Sequence, residues 1–186
     1  MNADEDRKAV EQYRSYLLVL ARIQIDARTR YKVEASDVVQ HTMLEAHATR
    51  KQFAGDEGGF AAWLRKALAN NIRDAMRKLR SQKRDMNREH SLEAVLERSS
   101  TRLADCLAAA QSSPSGRVSR NEDLLRLSDA LLALPDAQRE AVVLHHLQGW
   151  TLNEVAAHLD RTDAAVAGLL HRGLRGLREL MRTREE

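Results

Sequence analysis

From residue 7 onward, apolar side chains recur in steps of three and four, the repeat that gathers them on one face of an α-helix. Val10, Tyr13, Leu17, Leu20 and Ile23 or Ile25 mark such a face and predict a helix over residues 7–32, closed by Arg28–Lys32. A second helix is predicted from Ser36, a suitable N-cap, with Asp37 favourable in its first turn and Val38, Val39, Met43, Leu44 and Ala46 as its apolar positions. The pattern breaks at Ala54–Gly59, AGDEGG, which predicts a loop. Phe60, Trp63, Leu64, Leu68, Ile72, Met76 and Leu79 then predict one long helix over Phe60–Arg84.

Between residues 85 and 122 the periodicity weakens. Leu92, Val95, Leu96, Leu103 and Leu107 allow one helix over Leu92–Ala110, and Ser112–Asp123, SSPSGRVSRNED, reads as a turn-rich linker. A strongly patterned block follows: Leu124–Leu134, a stop at Pro135, a helix over Asp136–Gln148, then Gly149 and a helix pair. Thr151 and Glu154 have capping-box spacing, and Leu152, Val155, Ala156 and Leu159 form the stripe of the first partner. The stripe stops at Asp160-Arg161-Thr162, where Thr162 can cap a second helix with Val166, Leu169 or Leu170, and Leu174 on its apolar side. The last helix is expected to run on through Leu177, Leu180 and Met181, with Arg172, Arg175, Arg178 and Arg182 outside. A short connection between two such helices is the helix-turn-helix pattern, although an ordinary helical hairpin shares it.

Composition agrees with helices throughout. Only 8 glycines, 2 prolines and 4% aromatics accompany 43% hydrophobic and 31% charged residues in 186. The expected fold is all-α: two small helical domains, residues 1–88 and 123–186, joined by a long linker over 89–122, with the helix-turn-helix in the second. A net charge of +3 says little, but its distribution says more. Between Arg65 and Arg84 stand eight cations (Arg65, Lys66, Arg73, Arg77, Lys78, Arg80, Lys83, Arg84) against one acid, Asp74. Cations suit the C-terminal end of a helix dipole. Eight to one exceeds that need and points to a polyanionic partner.

The chemistry of an enzyme is missing. His41, His47, His90, His145, His146, His158 and His171 have no metal-ligand spacing, and GDEGG lacks the lysine of a phosphate loop. The expectation is a protein that is not an enzyme and takes no cofactor or metal. One cysteine, Cys106, excludes an intrachain disulfide and fits a reducing compartment. The longest apolar run, Leu17–Ala21, is far short of a membrane span, and the acidic start MNADEDRKAVEQ is unlike a secretory leader. A cytoplasmic location without membrane insertion is expected.

Four motifs in order resemble the extracytoplasmic-function (ECF) subgroup of bacterial sigma-70-type sigma factors. They are Asp37-Val38-Val39-Gln40; Phe53-Ala54-Gly55-Asp56 with Phe60-Ala61-Ala62-Trp63-Leu64 and Ala69-Asn70; Leu134-Pro135 and Arg139-Glu140-Ala141-Val142 with Gly149-Trp150-Thr151-Leu152-Asn153-Glu154-Val155-Ala156; and Val166 with Leu170-His171-Arg172. The likeness covers about residues 10–86 and 123–182. It implies a subunit that binds core RNA polymerase and directs promoter recognition, DNA melting and transcription initiation. Asp37, Val38, Gln40, His41 and Leu44 would dock on polymerase. The loop Gly55, Asp56, Glu57, Gly58, Gly59 with Asn70 would capture an unpaired minus-ten base, with Arg73, Arg77 and Lys78 on nearby phosphates. A flipped base needs such a pocket, with amide hydrogen bonds and a flexible wall. From residue type alone, Asn70 and Asn71 would read as two solvent-facing polar residues.

The minus-thirty-five element would meet Thr162, Asp163, Ala164, Ala165, Ala167, Gly168, His171, Arg172 and Arg175. Ala167, Gly168 and Leu169 stand where basic or polar side chains are usual, which shifts the expected contacts toward phosphates and DNA shape. The family commonly has an anti-sigma partner, and nothing in the sequence identifies one. Two promoter elements lie roughly 70 Å apart. With Leu92–Ala110 helical at about 29 Å and fifteen further residues at about 50 Å, the linker is just long enough. The alternative reading is a polymerase-independent helix-turn-helix DNA-binding regulator, and a third is an adaptor for acidic proteins.

Overall fold

The computed structural model describes residues 3–25, 33–50, 53, 55–79, 89–110 and 117–182. All regular elements among them are helices, in two compact units, Met1–Arg98 and Ser99–Glu186. No helix among the described residues is long and apolar enough to cross a membrane.

The first unit contains α1 (Ala3–Glu11), α2 (Arg14–Gln24), α3 (Ala35–Arg50), α4 (Glu57–Leu79) and the start of α5 (Glu89–Ala110). The single helix predicted over residues 7–32 is in fact two, and Arg28–Lys32 lie outside the described residues. The chain turns at Gln12–Tyr13, where Tyr13 N bonds back only three residues, to Val10 O. That turn keeps Val10 and Tyr13 both buried, so the apolar spacing runs through the break without revealing it. Ser36 is not the N-cap of α3. The helix starts at Ala35, and Asp37 N and Val38 N both bond to Glu34 O. Tyr13, Leu17, Leu20, Met43, Phe60, Leu64, Leu68 and Ile72 form the core where α2, α3 and α4 meet.

The second unit holds the rest of α5, then α6 (Arg117–Ala133), α7 (Asp136–Val142), α8 (Leu152–Leu159) and α9 (Asp163–Arg182). The stretch Arg117–Asp123, expected as linker, is helical because no glycine or proline interrupts it after Gly116. With α5 also starting three residues early, nine residues advance about 1.5 Å each instead of about 3.3 Å. The contour of the connecting stretch is therefore about 16 Å shorter than expected. Arg139 stitches α7 to the end of α6, donating to Leu132 O at 3.2 Å and Leu134 O at 3.1 Å. The helix predicted over Asp136–Gln148 widens into a π turn at Val143–Leu147, with Gln148 N bonded to Val143 O at 2.9 Å. The wider turn buries Leu144 and Leu147 together. Gly149 follows at φ 78°, a conformation that only glycine adopts cheaply.

Candidate nucleic-acid interfaces

On α3, Asp37, Gln40 and His41 are exposed and Leu44 is 62% exposed, the one large hydrophobic left open among the described residues. Val38 is buried beneath them, so it supports this face rather than presenting itself. His41 Nε2 lies 3.4 Å from Glu45 Oε1.

The loop before α4 is shorter than predicted, because Glu57, Gly58 and Gly59 already belong to the helix. Asp56 explains this. Its Oδ1 accepts from Gly59 N at 2.8 Å, the bond of an N-cap. Glu57 is also engaged: Tyr13 Oη donates to its Oε2 at 2.7 Å, and Arg50 pairs with its Oε1. Arg50 lies 4.5 Å from the centre of the Phe60 ring, which also packs on Tyr13, Phe53 and Trp63. Gly55 closes on Phe53, since a Cβ there would stand 2.6 Å from the ring. The wall expected to be flexible is braced by these contacts, and Gly55–Gly59 are all exposed. Sequence reading placed Phe53 in a motif and Tyr13 in a helical stripe but missed both, with Arg50, as braces of this loop, because their contacts with Glu57 and Phe60 join residues distant in the chain.

Asn70 and Asn71 meet different surroundings. Asn70 is exposed and its Oδ1 accepts from Arg73 Nη1 at 2.6 Å. Asn71 is buried and donates to Thr42 Oγ1 at 3.0 Å and Glu45 Oε2 at 3.1 Å. Reading both as solvent-facing therefore fails for Asn71. Of the eight cations, Arg65 turns inward to the Tyr16 hydroxyl and Glu97, at 3.2 and 2.7 Å. Arg77 pairs with Asp74, and Lys66 and Lys78 are exposed. Arg80, Lys83 and Arg84 lie outside the described residues.

The helix pair of the second unit is α8 and α9. Both halves of the capping box are present: Thr151 N and Oγ1 donate to Glu154 Oε2, and Glu154 N donates to Thr151 Oγ1. The Thr151 backbone amide and hydroxyl hold the Glu154 carboxyl below its ordinary pKa. Asp160 ends α8 at φ 51°, and Thr162 caps α9 by accepting from Ala165 N at 3.2 Å. Val166, Leu169, Leu170, Gly173 and Leu177 face inward, so the alternative between Leu169 and Leu170 resolves to both. Thr162, Asp163, Ala164, Ala167, His171, Arg172 and Arg175 are exposed, with Ala165 and Gly168 partly covered. The Arg172 guanidinium folds back over Gly168, and Arg175 pairs with Glu179 at 2.9 Å. Arg161, not anticipated, is exposed in the turn beside them.

At the foot of this pair, His145 Nδ1 lies 2.7 Å from Trp150 O, and the His145 and His146 rings are 4.8 Å apart. Burial, and the neighbouring His145, hold the His146 pKa below its ordinary value. Among the described residues no group of three or more His, Cys, Asp or Glu is placed to hold a metal ion.

Two family models match this chain: Sigma-70 region 2 over residues 9–82, and Sigma-70, region 4 over residues 124–177. RNA polymerase sigma factor CarQ of Myxococcus xanthus is 33% identical over 149 residues, covering 79% of this chain and 74% of that protein. The chain belongs to the sigma-70 family. The ECF RNA polymerase sigma factor SigD of Mycobacterium tuberculosis is 26% identical over 173 residues, 93% of this chain and 75% of that protein. RNA polymerase sigma-E factor of Streptomyces antibioticus is 38% identical over 66 residues, 36% of this chain and 37% of that protein. As a sigma factor of the ECF type, the protein acts with core RNA polymerase and promoter DNA in transcription initiation.

Proposed function

We propose a division of labour among the exposed faces. Asp37, Gln40, His41 and Leu44 on α3 dock on core polymerase, with Val38 packed behind them. The Gly55–Gly59 backbone and Asn70 capture an unpaired minus-ten base, while Arg77 and Lys78 hold phosphates beside it. Thr162 to Arg175 on α9 meet the minus-thirty-five duplex, with residues 1–88 and 123–186 as the two working domains and 89–122 as the tether. The single observation that supports this best is the split between Asn70, exposed beside the loop, and Asn71, buried against α3. Of the two asparagines, Asn70 alone is exposed.

The protein itself catalyses no reaction in this scheme and works in the cytoplasm where polymerase is. Run-off transcription with core polymerase tests the scheme. Asn70→Ala is expected to weaken promoter opening while core binding stays intact. Unchanged opening removes Asn70 from base capture, and lost core binding would mean that the residue supports folding instead.

A further inference from the structure

We propose that Arg73 is a positioning residue for Asn70: it fixes which end of the Asn70 amide is offered to the captured base. The inference rests on the assignment of Asn70 to base capture. Arg73 Nη1 donates to Asn70 Oδ1 at 2.6 Å. A guanidinium has only donors, so the amide must turn its oxygen toward Arg73. The Nδ2 amine of the exposed Asn70 is left facing outward as a hydrogen-bond donor. The base is then read through an acceptor, a keto oxygen or an unprotonated ring nitrogen, and not through an exocyclic amine.

The surroundings of Arg73 separate it from its neighbours. Arg77 and Lys78 are exposed, as suits side chains that reach for phosphate. Arg73 is half-buried, and its Nε is shut off from solvent with no hydrogen-bond partner. An arginine reserved for phosphate would gain from presenting its whole fork to water and DNA. Desolvating Nε is unfavourable, and a fixed Asn70 is what the geometry shows in return.

The test uses the full chain with core RNA polymerase and a promoter library randomised through the minus-ten element, read as open complexes formed per base at each position. The position whose preference vanishes in Asn70→Ala is the one that Asn70 reads. Arg73→Ala is expected to flatten that same preference, by about tenfold, and the double variant to be no flatter than Asn70→Ala alone. Arg73→Gln keeps an amide donor for Oδ1 without the charge, so it is expected to restore the preference; a purely structural or phosphate-binding arginine predicts no such rescue. Asn70→Asp keeps a partner for Arg73 but removes the outward donor, and is expected to behave as Asn70→Ala. Retained preference in Asn70→Asp would mean that oxygen reads the base, which overturns the inference. Equal weakening of all four bases by Arg73→Ala also overturns it, leaving Arg73 as a phosphate contact. If Asn70→Ala leaves every preference intact, base capture by Asn70 fails, and the role of Arg73 fails with it.

Discussion

Asn71 reaches from α4 to α3 and donates its side-chain amide to the Thr42 hydroxyl at 3.0 Å. Thr42 is fully buried and donates in turn to Val38 O at 2.9 Å, so the asparagine satisfies an acceptor that water cannot reach. Asn71→Leu is expected to destabilise the first unit by about 1–3 kcal/mol, because Thr42 and Glu45 lose a buried donor. Asn70→Ala, one position away, should stay within about 0.5 kcal/mol. Denaturant unfolding compares them, and equal losses would contradict the burial of Asn71 alone.

Leu44 tests the docking face. At 62% exposure it contributes little to the core, so Leu44→Ser should leave the melting temperature almost unchanged. Affinity for core polymerase should fall by about fivefold or more if the side chain enters a pocket on the partner. A titration of labelled variant against core enzyme measures this, and wild-type affinity would move the docking site elsewhere.

Two glycines of α9 should respond oppositely to alanine. A Cβ at Gly173 would stand 2.8 Å from Val142 Cγ2 where α9 crosses α7, so Gly173→Ala is expected to cost about 1–3 kcal/mol by overpacking. A Cβ at Gly168 meets the mobile end of Arg172 at 3.2 Å, and helix propensity favours Ala by up to about 1 kcal/mol. Gly168→Ala should therefore raise the melting temperature while displacing the Arg172 guanidinium and weakening minus-thirty-five binding. Stabilisation with unchanged DNA affinity would show that the placement of Arg172 is unimportant.

His146 makes the second unit sensitive to acid. Burial and His145 hold its pKa in the fold below the ordinary value of about 6.5. Between those two values the unfolded chain binds more protons than the folded one, so stability rises with pH through that window and is complete above about 6.5. His146→Gln is expected to flatten the loss of stability between pH 7 and pH 5. An unaltered slope would assign the acid sensitivity to other groups.

How legible the sequence was depended on how local each feature is. The capping box of Thr151 and Glu154 and the Thr162 cap lie within one turn, and the buried stripe of α9 repeats every three or four residues, so all were readable. The break at Tyr13 was hidden because the residue stays in the core on both sides of the turn. The start of α4 was misplaced because glycines in Gly58-Gly59 suggest a loop, whereas Asp56 caps them into a helix. Partners distant in the chain left no signal: Tyr13 with Glu57, Asn71 with Thr42, and Arg65 with Glu97 join through the fold alone. The buried face of α9 was readable because a helix face follows from spacing, but the fold of Arg172 over Gly168 was not.

The wide turn at Val143–Leu147 sets the phase of everything that follows it. It accommodates one residue more than a regular helical turn, and each helical residue carries the chain about 100° around the axis. Removing one residue there would let α7 continue regularly while swinging the exposed face of α9 to another bearing. The bearing of α9 is set upstream of the helix itself, by a single surplus amino acid.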